Sequence, residues 1–253
     1  MQQLSNSAVG TIRKVPAVTL AFWLIKIAAT TFGETAGDAV SMTMNLGYAA
    51  GTGIFAVFFL ASVIAQTKTQ SYHPFLYWAV IVTTTTVGTT MADFATRSMG
   101  IGYTGGSLIL FIALMIVLAL WHFSLGSVSV DTITTPKAEA FYWATILFSN
   151  TLGTALGDFL ADTPGIGYEG GALVFGGVLV LIAAAYYFTH LSHTLLFWAA
   201  FILTRPLGAT LGDILTKPYD HGGLDLSRYS SSAVIAVIMI VGILLSSKKA
   251  GNH

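Results

Sequence analysis

The chain has 253 residues, of which 55% are hydrophobic and only 9% are charged, and its mean hydropathy is +0.76. Soluble domains carry about 25% charged residues, so this composition is typical of an integral membrane protein. Eleven acidic and eleven basic residues balance, which argues against a nucleic-acid partner. The absence of cysteine excludes disulfides, thiolate metal sites and cysteine nucleophiles.

Apolar stretches of membrane-spanning length follow the polar residues 1–14, which are not typical of a cleaved signal peptide. They alternate in pairs and predict an all-α membrane protein with eight transmembrane helices. The first helices of the pairs are predicted at 16–40, 74–95, 139–160 and 194–215. The second helices are predicted at 49–66, 104–122, 170–188 and 230–247.

One phrase recurs in the first helix of every pair: a Trp, a Gly ten residues later, and an Asp five residues after that. The glycines are 55, 65 and 55 residues apart, at Gly33, Gly88, Gly153 and Gly208. This spacing predicts one membrane domain of four parallel two-helix repeats, arranged as two pseudo-symmetric halves. The repeats cover about 15–66, 74–122, 139–188 and 194–247. Because each repeat crosses the membrane twice, both termini lie on the same side.

Basic residues predict the orientation of the chain. The side of the termini carries six: Arg13, Lys14, Lys68, Lys137, Lys248 and Lys249. The other side carries three, Arg97, Lys217 and Arg228, so both termini are expected in the cytoplasm of a bacterium with the protein in its inner (plasma) membrane. The four Trp residues of the phrase are interpreted as interface anchors, since aromatic belts are typical of bilayer proteins.

Polar side chains form one stripe on each odd-numbered helix, because residues four apart share a helix face. The stripes contain Thr30, Glu34 and Asp38; Thr85, Thr89 and Asp93; Asn150, Thr154 and Asp158; and Arg205, Ala209 and Asp213. Beside them run pairs of small residues, such as Gly33 with Gly37, whose spacing favours close helix packing. Four such helices around an axis would gather four Asp residues at one depth.

Buried carboxylates need an explanation, since an ionised group at the bilayer centre costs about 2.5–3.5 kcal/mol. The four Asp residues and Glu34 face only two bases predicted within the spans, Lys26 and Arg205. That leaves a formal deficit of three positive charges. The site is therefore expected to bind cations, protons or both.

The connection after the fourth repeat differs from the other three. The first three repeats continue with short Gly-Tyr turns, whereas the fourth continues with TKPYDHGGLDLSRYSSS. This longer, charged segment is interpreted either as a lid or outer vestibule, or as a plain surface loop.

The four phrases carry a resemblance to a known group. WLIKIAATTFGETAGD, WAVIVTTTTVGTTMAD, WATILFSNTLGTALGD and WAAFILTRPLGATLGD resemble a bacterial integral-membrane family defined by four tandem copies of a repeat of unknown function. The resemblance covers about residues 15–247. It implies two transmembrane helices and a typical Trp in each repeat, and no established activity.

Two functions remain open from the sequence. The first is a transporter for a cation, because carboxylate and hydroxyl oxygens suit hard ions such as Mg²⁺, Mn²⁺ or H⁺. Its predicted metal ligands are Asp38, Asp93, Asp158, Asp213 and Glu34, and its predicted pathway residues or charge partners are Lys26, Thr30, Thr85, Thr89, Asn150, Thr154 and Arg205. The second is a non-transporting sensor or scaffold whose carboxylates form a structural polar core. An enzyme is not predicted, since no nucleophile or cofactor motif accompanies the acids. The expected partners are the lipid bilayer and a small cation, with a homo-oligomer left open.

Overall fold

A computed structural model describes residues 14–246, which form eight α-helices. The helices are α1 Leu20–Asp38, α2 Tyr48–Lys68, α3 Pro74–Asp93, α4 Gly102–Leu125, α5 Pro136–Ala161, α6 Gly167–Phe188, α7 His193–Thr216 and α8 Arg228–Leu245. Two helices therefore form each predicted repeat. Arg13, Lys248 and Lys249, which contribute to the predicted orientation, lie outside the described residues.

Local chemistry sets the helix ends. Thr19, Thr135 and Ser192 accept hydrogen bonds from backbone amides in the first turns of α1, α5 and α7. α3 and α5 begin with proline, whose fixed φ suits a first helical turn. At their other ends α1 and α3 continue into π-helical turns, Ala39–Thr43 and Phe94–Ser98. These turns extend the helices past the motif Asp residues.

The four odd-numbered helices form a closed ring. α1 packs against α3, α3 against α5, α5 against α7, and α7 against α1. Each even-numbered helix packs outside the ring against the odd helix of the following repeat, so α2 lies on α3, α4 on α5 and α6 on α7. α8 closes the circle by packing on α1. The ring that the repeats predict is therefore present, and it is a bundle of four parallel helices.

Burial separates the two layers. Only 11% of the spans in α2, α4 and α6 is buried within the protein, whereas 67% is buried in α3 and α7. The exposed side chains of the outer helices are mainly large and apolar, such as Leu108, Phe111 and Val180. Exposure of this apolar surface to water would be unfavourable, whereas a lipid bilayer accommodates it. The chain is therefore a membrane protein.

Six of the helices in residues 14–246 are long and apolar enough to cross a membrane. They are α2, α3, α4, α6, α7 and α8, so the predicted eight spans are confirmed only as eight helices. α1 and α5 each carry three charged residues: Lys26, Glu34 and Asp38 in α1, and Lys137, Glu139 and Asp158 in α5. Both helices lie in the ring, where neighbouring helices enclose them.

The interpretation of the motif Trp residues as interface anchors is wrong for three of the four. Trp78 and Trp143 are 2% exposed and Trp198 is 5% exposed, and Trp121 from α4 packs edge-on against Trp198. An anchor would keep one edge at the headgroups, but these rings fill the bundle where the odd helices begin. We call this region the aromatic end, and the region where the odd helices finish the carboxylate end.

Glycines of each odd helix pack against the polar stripe of the next helix around the ring. A Cβ added at Gly33 would collide with Thr85, one at Gly88 would press on Asn150, and one at Gly153 would collide with Arg205. The circle closes at Gly208, where an added Cβ would collide with Thr30. The predicted small-residue edge is confirmed, and its partner is the neighbouring stripe itself.

The Gly208→Ala substitution should lower the free energy of unfolding by about 1–3 kcal/mol, because the added methyl has no room beside Thr30. Thermal unfolding in detergent measures the effect. Gly176→Ala is the matched control, since Gly176 lies in α6 with open space around its Cβ position. Equal melting temperatures for the two variants would contradict the close packing of α7 on α1.

Candidate functional site

The polar stripes point into the bundle axis and meet in layers. The clearest sign is Arg205 on α7, whose Nη2 donates a hydrogen bond across the ring to Thr89 on α3 over 2.6 Å. None of the sixteen side chains in the four central layers is more than 3% exposed. From the aromatic end the layers are Lys26, Ile81, Ile146 and Phe201; Thr30, Thr85, Asn150 and Arg205; Glu34, Thr89, Thr154 and Ala209; Asp38, Asp93, Asp158 and Asp213.

The axis is closed at the aromatic end. The hydroxyls of Tyr77 and Tyr142 are hydrogen-bonded to each other over 2.7 Å, and both residues are fully buried. Above them Ile81, Ile146 and Phe201 form an apolar layer. An ion on the axis could not leave through this end without a rearrangement of these side chains.

Lys26 lies in that apolar layer without an acidic partner. Its Nζ donates hydrogen bonds to Thr204 Oγ1 over 2.8 Å and to the Phe201 carbonyl over 3.1 Å, and it lies 3.8 Å from the centre of the Phe201 ring. Among residues 14–246 no carboxylate lies within 4.0 Å of it. The contact with the Phe201 ring and the two hydrogen bonds surround Nζ in place of an ion pair.

Arg205 is paired, but only in part. Its Nη2 lies 2.9 Å from Glu34 Oε2, while its Nε and Nη1 have no hydrogen-bond partner among the described residues. Asn150, in the same layer, leaves both its amide oxygen and its amide nitrogen unpartnered, although it is fully buried. Orphaned polar atoms in a protein interior are costly, so these groups point to a small polar species on the axis.

The four Asp residues form two pairs, and one base bridges each pair. Arg97 lies 3.0 Å from Asp93 Oδ1 and 3.2 Å from Asp158 Oδ2. Lys217 donates a hydrogen bond to Asp38 Oδ2 over 2.8 Å and lies 3.2 Å from Asp213 Oδ1. In each pair the base follows one Asp by four residues and reaches the Asp of the next repeat around the ring.

Sequence reasoning missed Arg97 and Lys217 as partners and assigned them to the loops beyond the helices. Their spacing of four from Asp93 and Asp213 was the available signal, since it places an acid and a base on one helix face. Arg228, at the start of α8, adds a weaker contact 3.6 Å from Asp38. The predicted deficit of three positive charges is therefore wrong, because three further bases, Arg97, Lys217 and Arg228, lie beside the carboxylates.

Three of the five predicted metal ligands lie together. Carboxylate oxygens of Glu34, Asp38 and Asp213 are all within 4.8 Å of one another, and all three residues are buried. Asp93 and Asp158 belong to the separate pair that Arg97 bridges. Oxygen ligands in this number suit a hard cation, and Asp213 Oδ1 accepts no hydrogen bond from the described residues.

The predicted pathway threonines donate their hydroxyl hydrogens to helix carbonyls. Thr30 donates to the Ile27 carbonyl over 2.9 Å, Thr85 to the Val82 carbonyl over 2.8 Å, and Thr154 to the Asn150 carbonyl over 3.3 Å. Thr30 also lies 3.2 Å from the Thr204 carbonyl on the neighbouring helix. These hydroxyls are therefore satisfied by helix carbonyls.

Residues 217–227, which we call the 217–227 loop, fold back over the end of α7. Leu224 N–H donates to the Ile214 carbonyl over 2.7 Å, and Leu226 N–H donates to the Leu215 carbonyl over 2.9 Å. Asp225 N–H donates to the Lys217 carbonyl over 2.9 Å. The loop thereby satisfies carbonyls at the helix end and fixes the backbone of Lys217.

Lys217 remains an ammonium in this position. It follows the last residue of α7, and burial alone would lower the pKa of its ammonium. The carboxylates of Asp213 and Asp38 outweigh that effect and raise the pKa of Lys217 well above its ordinary value. A charged group therefore lies between two buried carboxylates at the carboxylate end.

The repeat itself is matched by a sequence profile, the Repeat of Unknown Function (DUF347). Its four matches cover residues 21–72, 76–126, 141–192 and 196–250. The chain belongs to this repeat family. Searches of the curated proteins and of the solved structures found no match. The family thus accounts for the four-repeat architecture, and its description names no function.

Removing one member of the Arg205–Glu34 pair should be far more costly than removing both. Arg205→Met leaves a buried carboxylate unpaired and should destabilise the protein by about 3–5 kcal/mol. The Arg205→Met, Glu34→Gln double variant should recover a large part of that loss, since no uncompensated charge remains. Unfolding of the two single variants, the double variant and the wild type completes a double-mutant cycle. Additive effects would contradict the pairing.

Proposed function

We propose that this protein is a membrane transporter for a small hard cation such as Mn²⁺ or Mg²⁺, with Glu34, Asp38 and Asp213 as the binding site. The observation that carries the proposal is the position of these three carboxylates, which lie within 4.8 Å of one another on the axis of a buried ring. Intramembrane carboxylates that face a bundle interior commonly mark ion pathways.

Unpartnered polar atoms within the bundle support a ligand. Both polar atoms of the fully buried Asn150 lack hydrogen-bond partners among residues 14–246. In a dry structural core such atoms would be expected to have hydrogen-bond partners, because each unpartnered buried polar group costs about 1–3 kcal/mol. A hydrated cation would supply both a charge for the carboxylates and water molecules for the amide.

The layers along the axis suit alternating access. The carboxylate end is the more open one, since the Arg97 side chain there is 33% exposed. The aromatic end is closed by the Tyr77–Tyr142 contact. Under this proposal all eight helices cross the membrane, both termini are cytoplasmic in the bacterial inner membrane, and the described conformation faces outward. Release requires the aromatic end to open, and protons are candidates for the coupling species.

The ion pairs favour a second candidate function, a sensor or scaffold with a structural polar core. Each of the five central carboxylates has an oxygen within 3.2 Å of Arg97, Arg205 or Lys217. Such a core holds helices in register without moving an ion. The two functions differ in whether the carboxylates exchange their partners, which a transport measurement decides.

Asp38→Asn and Asp213→Asn should each reduce cation uptake by about tenfold or more, because each removes a charged ligand from the site. Uptake of Mn²⁺, Mg²⁺ and Na⁺ is measured in proteoliposomes of the purified protein. Asp220→Asn is the matched control, since that side chain is 78% exposed in the 217–227 loop and touches no central carboxylate.

Uptake that both substitutions leave unchanged would overturn the assignment of the site. A wild-type protein that moves none of the three cations, but loses stability on Asp38→Asn, would favour the structural polar core instead.

A further inference from the structure

We propose that Lys217 is a tethered competitor of the transported cation: its ammonium occupies the cation site when the site is empty of metal, and it must leave before a metal binds. The inference rests on the proposed cation site and concerns its regulation. It also assigns a role to the longer loop of repeat 4, which no other repeat shares.

The ammonium and a metal would use the same oxygens. Lys217 Nζ lies 2.8 Å from Asp38 Oδ2 and 3.2 Å from Asp213 Oδ1, which are two of the three carboxylates in the candidate site. Two cations cannot share these oxygens, since like charges at such a distance repel strongly in a buried environment. Binding of a metal therefore requires displacement of the ammonium.

Lys217 is placed to move. It follows the last residue of α7, where the backbone leaves the helix in an extended conformation. Its flexible four-carbon stem carries a single point charge.

Arg97 occupies the equivalent position in the other pair and is built differently. It lies inside the π-helical turn after α3, and it contacts Asp93 with Nε and Asp158 with Nη2. Its planar guanidinium reaches each carboxylate through a different nitrogen, whereas Lys217 presents a single ammonium on a flexible stem. No third carboxylate of the described cluster joins that pair, whereas Glu34 joins Asp38 and Asp213. We therefore treat Arg97 as the base that stays between its two acids, and Lys217 as the base that exchanges with a cation.

The 217–227 loop controls the displacement. Hydrogen bonds from Leu224, Leu226 and Asp225 hold the loop against Ile214, Leu215 and Lys217. Gly223 packs so closely on the Lys217 backbone that a Cβ there would collide with the Lys217 carbonyl group. Opening of the loop would free the Lys217 backbone, so the loop links access from the carboxylate end to release of the site.

Charge balance sets the cost of exchange. Glu34, Asp38 and Asp213 carry three negative charges, and Arg205, Lys217 and Arg228 supply three positive charges. A monovalent cation that replaces the ammonium keeps the site neutral. A divalent cation keeps it neutral only if Arg228, whose side chain is 19% exposed, also withdraws.

The test compares metal binding by the wild type, Lys217→Met and Lys217→Arg in detergent. Mn²⁺, Mg²⁺ and Na⁺ are titrated separately, and affinity is measured by calorimetry and by the metal-dependent rise in melting temperature. Lys217→Met removes the competitor while preserving its length, so affinity for the transported cation should rise about tenfold or more. Lys217→Arg retains the positive charge, and its guanidinium can contact carboxylates through two nitrogens. Metal affinity should therefore not rise in this variant.

Lys14→Met is the matched control, because Lys14 makes a similar 2.8 Å ion pair with Glu139 outside the carboxylate layers. It should leave metal affinity unchanged. Equal affinities in the wild type and Lys217→Met would overturn the competitor while leaving the cation site intact. An absence of metal binding in both proteins, in folded form, would overturn the cation site itself.

A second measurement needs no variant and therefore does not depend on Lys217→Met folding. Modification of Lys217 by an amine-reactive reagent, followed by mass spectrometry, reports its exposure in the wild type. Saturating cation should increase modification of Lys217 several-fold and leave the exposed Lys68 unchanged. If bound cation left the modification of Lys217 unchanged, the result would contradict displacement of the Lys217 ammonium.

Discussion

Burial of charge on the axis of a membrane bundle is the constraint on which this structure depends. Five carboxylates lie in two adjacent layers, and no side chain among them is more than 3% exposed. Such groups must find positive partners, because an uncompensated buried charge costs several kcal/mol. Arg97, Arg205 and Lys217 provide these partners, and each joins carboxylates or hydroxyls from different repeats. The ion pairs therefore fix how the repeats associate, as well as neutralising the acids.

The glycine edges make this arrangement geometrically possible. Each odd helix presents glycine to the polar stripe of the next helix, so the backbones approach closely and the stripes are carried onto the axis. Since the same relation holds from repeat 1 to repeat 2 and from repeat 4 back to repeat 1, the four copies close into a ring. The even helices then cover the outside and present apolar side chains to lipid. In each odd helix the glycine edge thereby provides close packing, and the polar stripe beside it provides the charged side chains on the axis.

The four repeats share one scaffold, but their polar stripes differ in the charged residues that they carry. Glu34 occurs only in the stripe of repeat 1, and Arg205 only in that of repeat 4, so the two meet where the ring closes. That junction also holds Asp38, Asp213 and Lys217, and the 217–227 loop is hydrogen-bonded to the end of α7 beside it. The opposite junction, between repeats 2 and 3, carries a simpler pair of acids bridged by Arg97. Chemistry that exchanges partners is thus proposed only at the junction of repeats 4 and 1.

The sequence by itself determined the membrane class, the four repeats, the two helices in each, and the common depth of Asp38, Asp93, Asp158 and Asp213. These properties are periodic in a single chain, so residue spacing records them. Only the tertiary structure decided that the ring closes through α1 and α7, that Trp78, Trp143 and Trp198 are buried, and that the Asp residues divide into two pairs. Those features depend on which helix lies beside which, and on side chains such as Lys217 that reach across repeats. A base four residues from an Asp indicates one ion pair in the sequence, but its second carboxylate lies 179 positions away and is brought to it by closure of the ring.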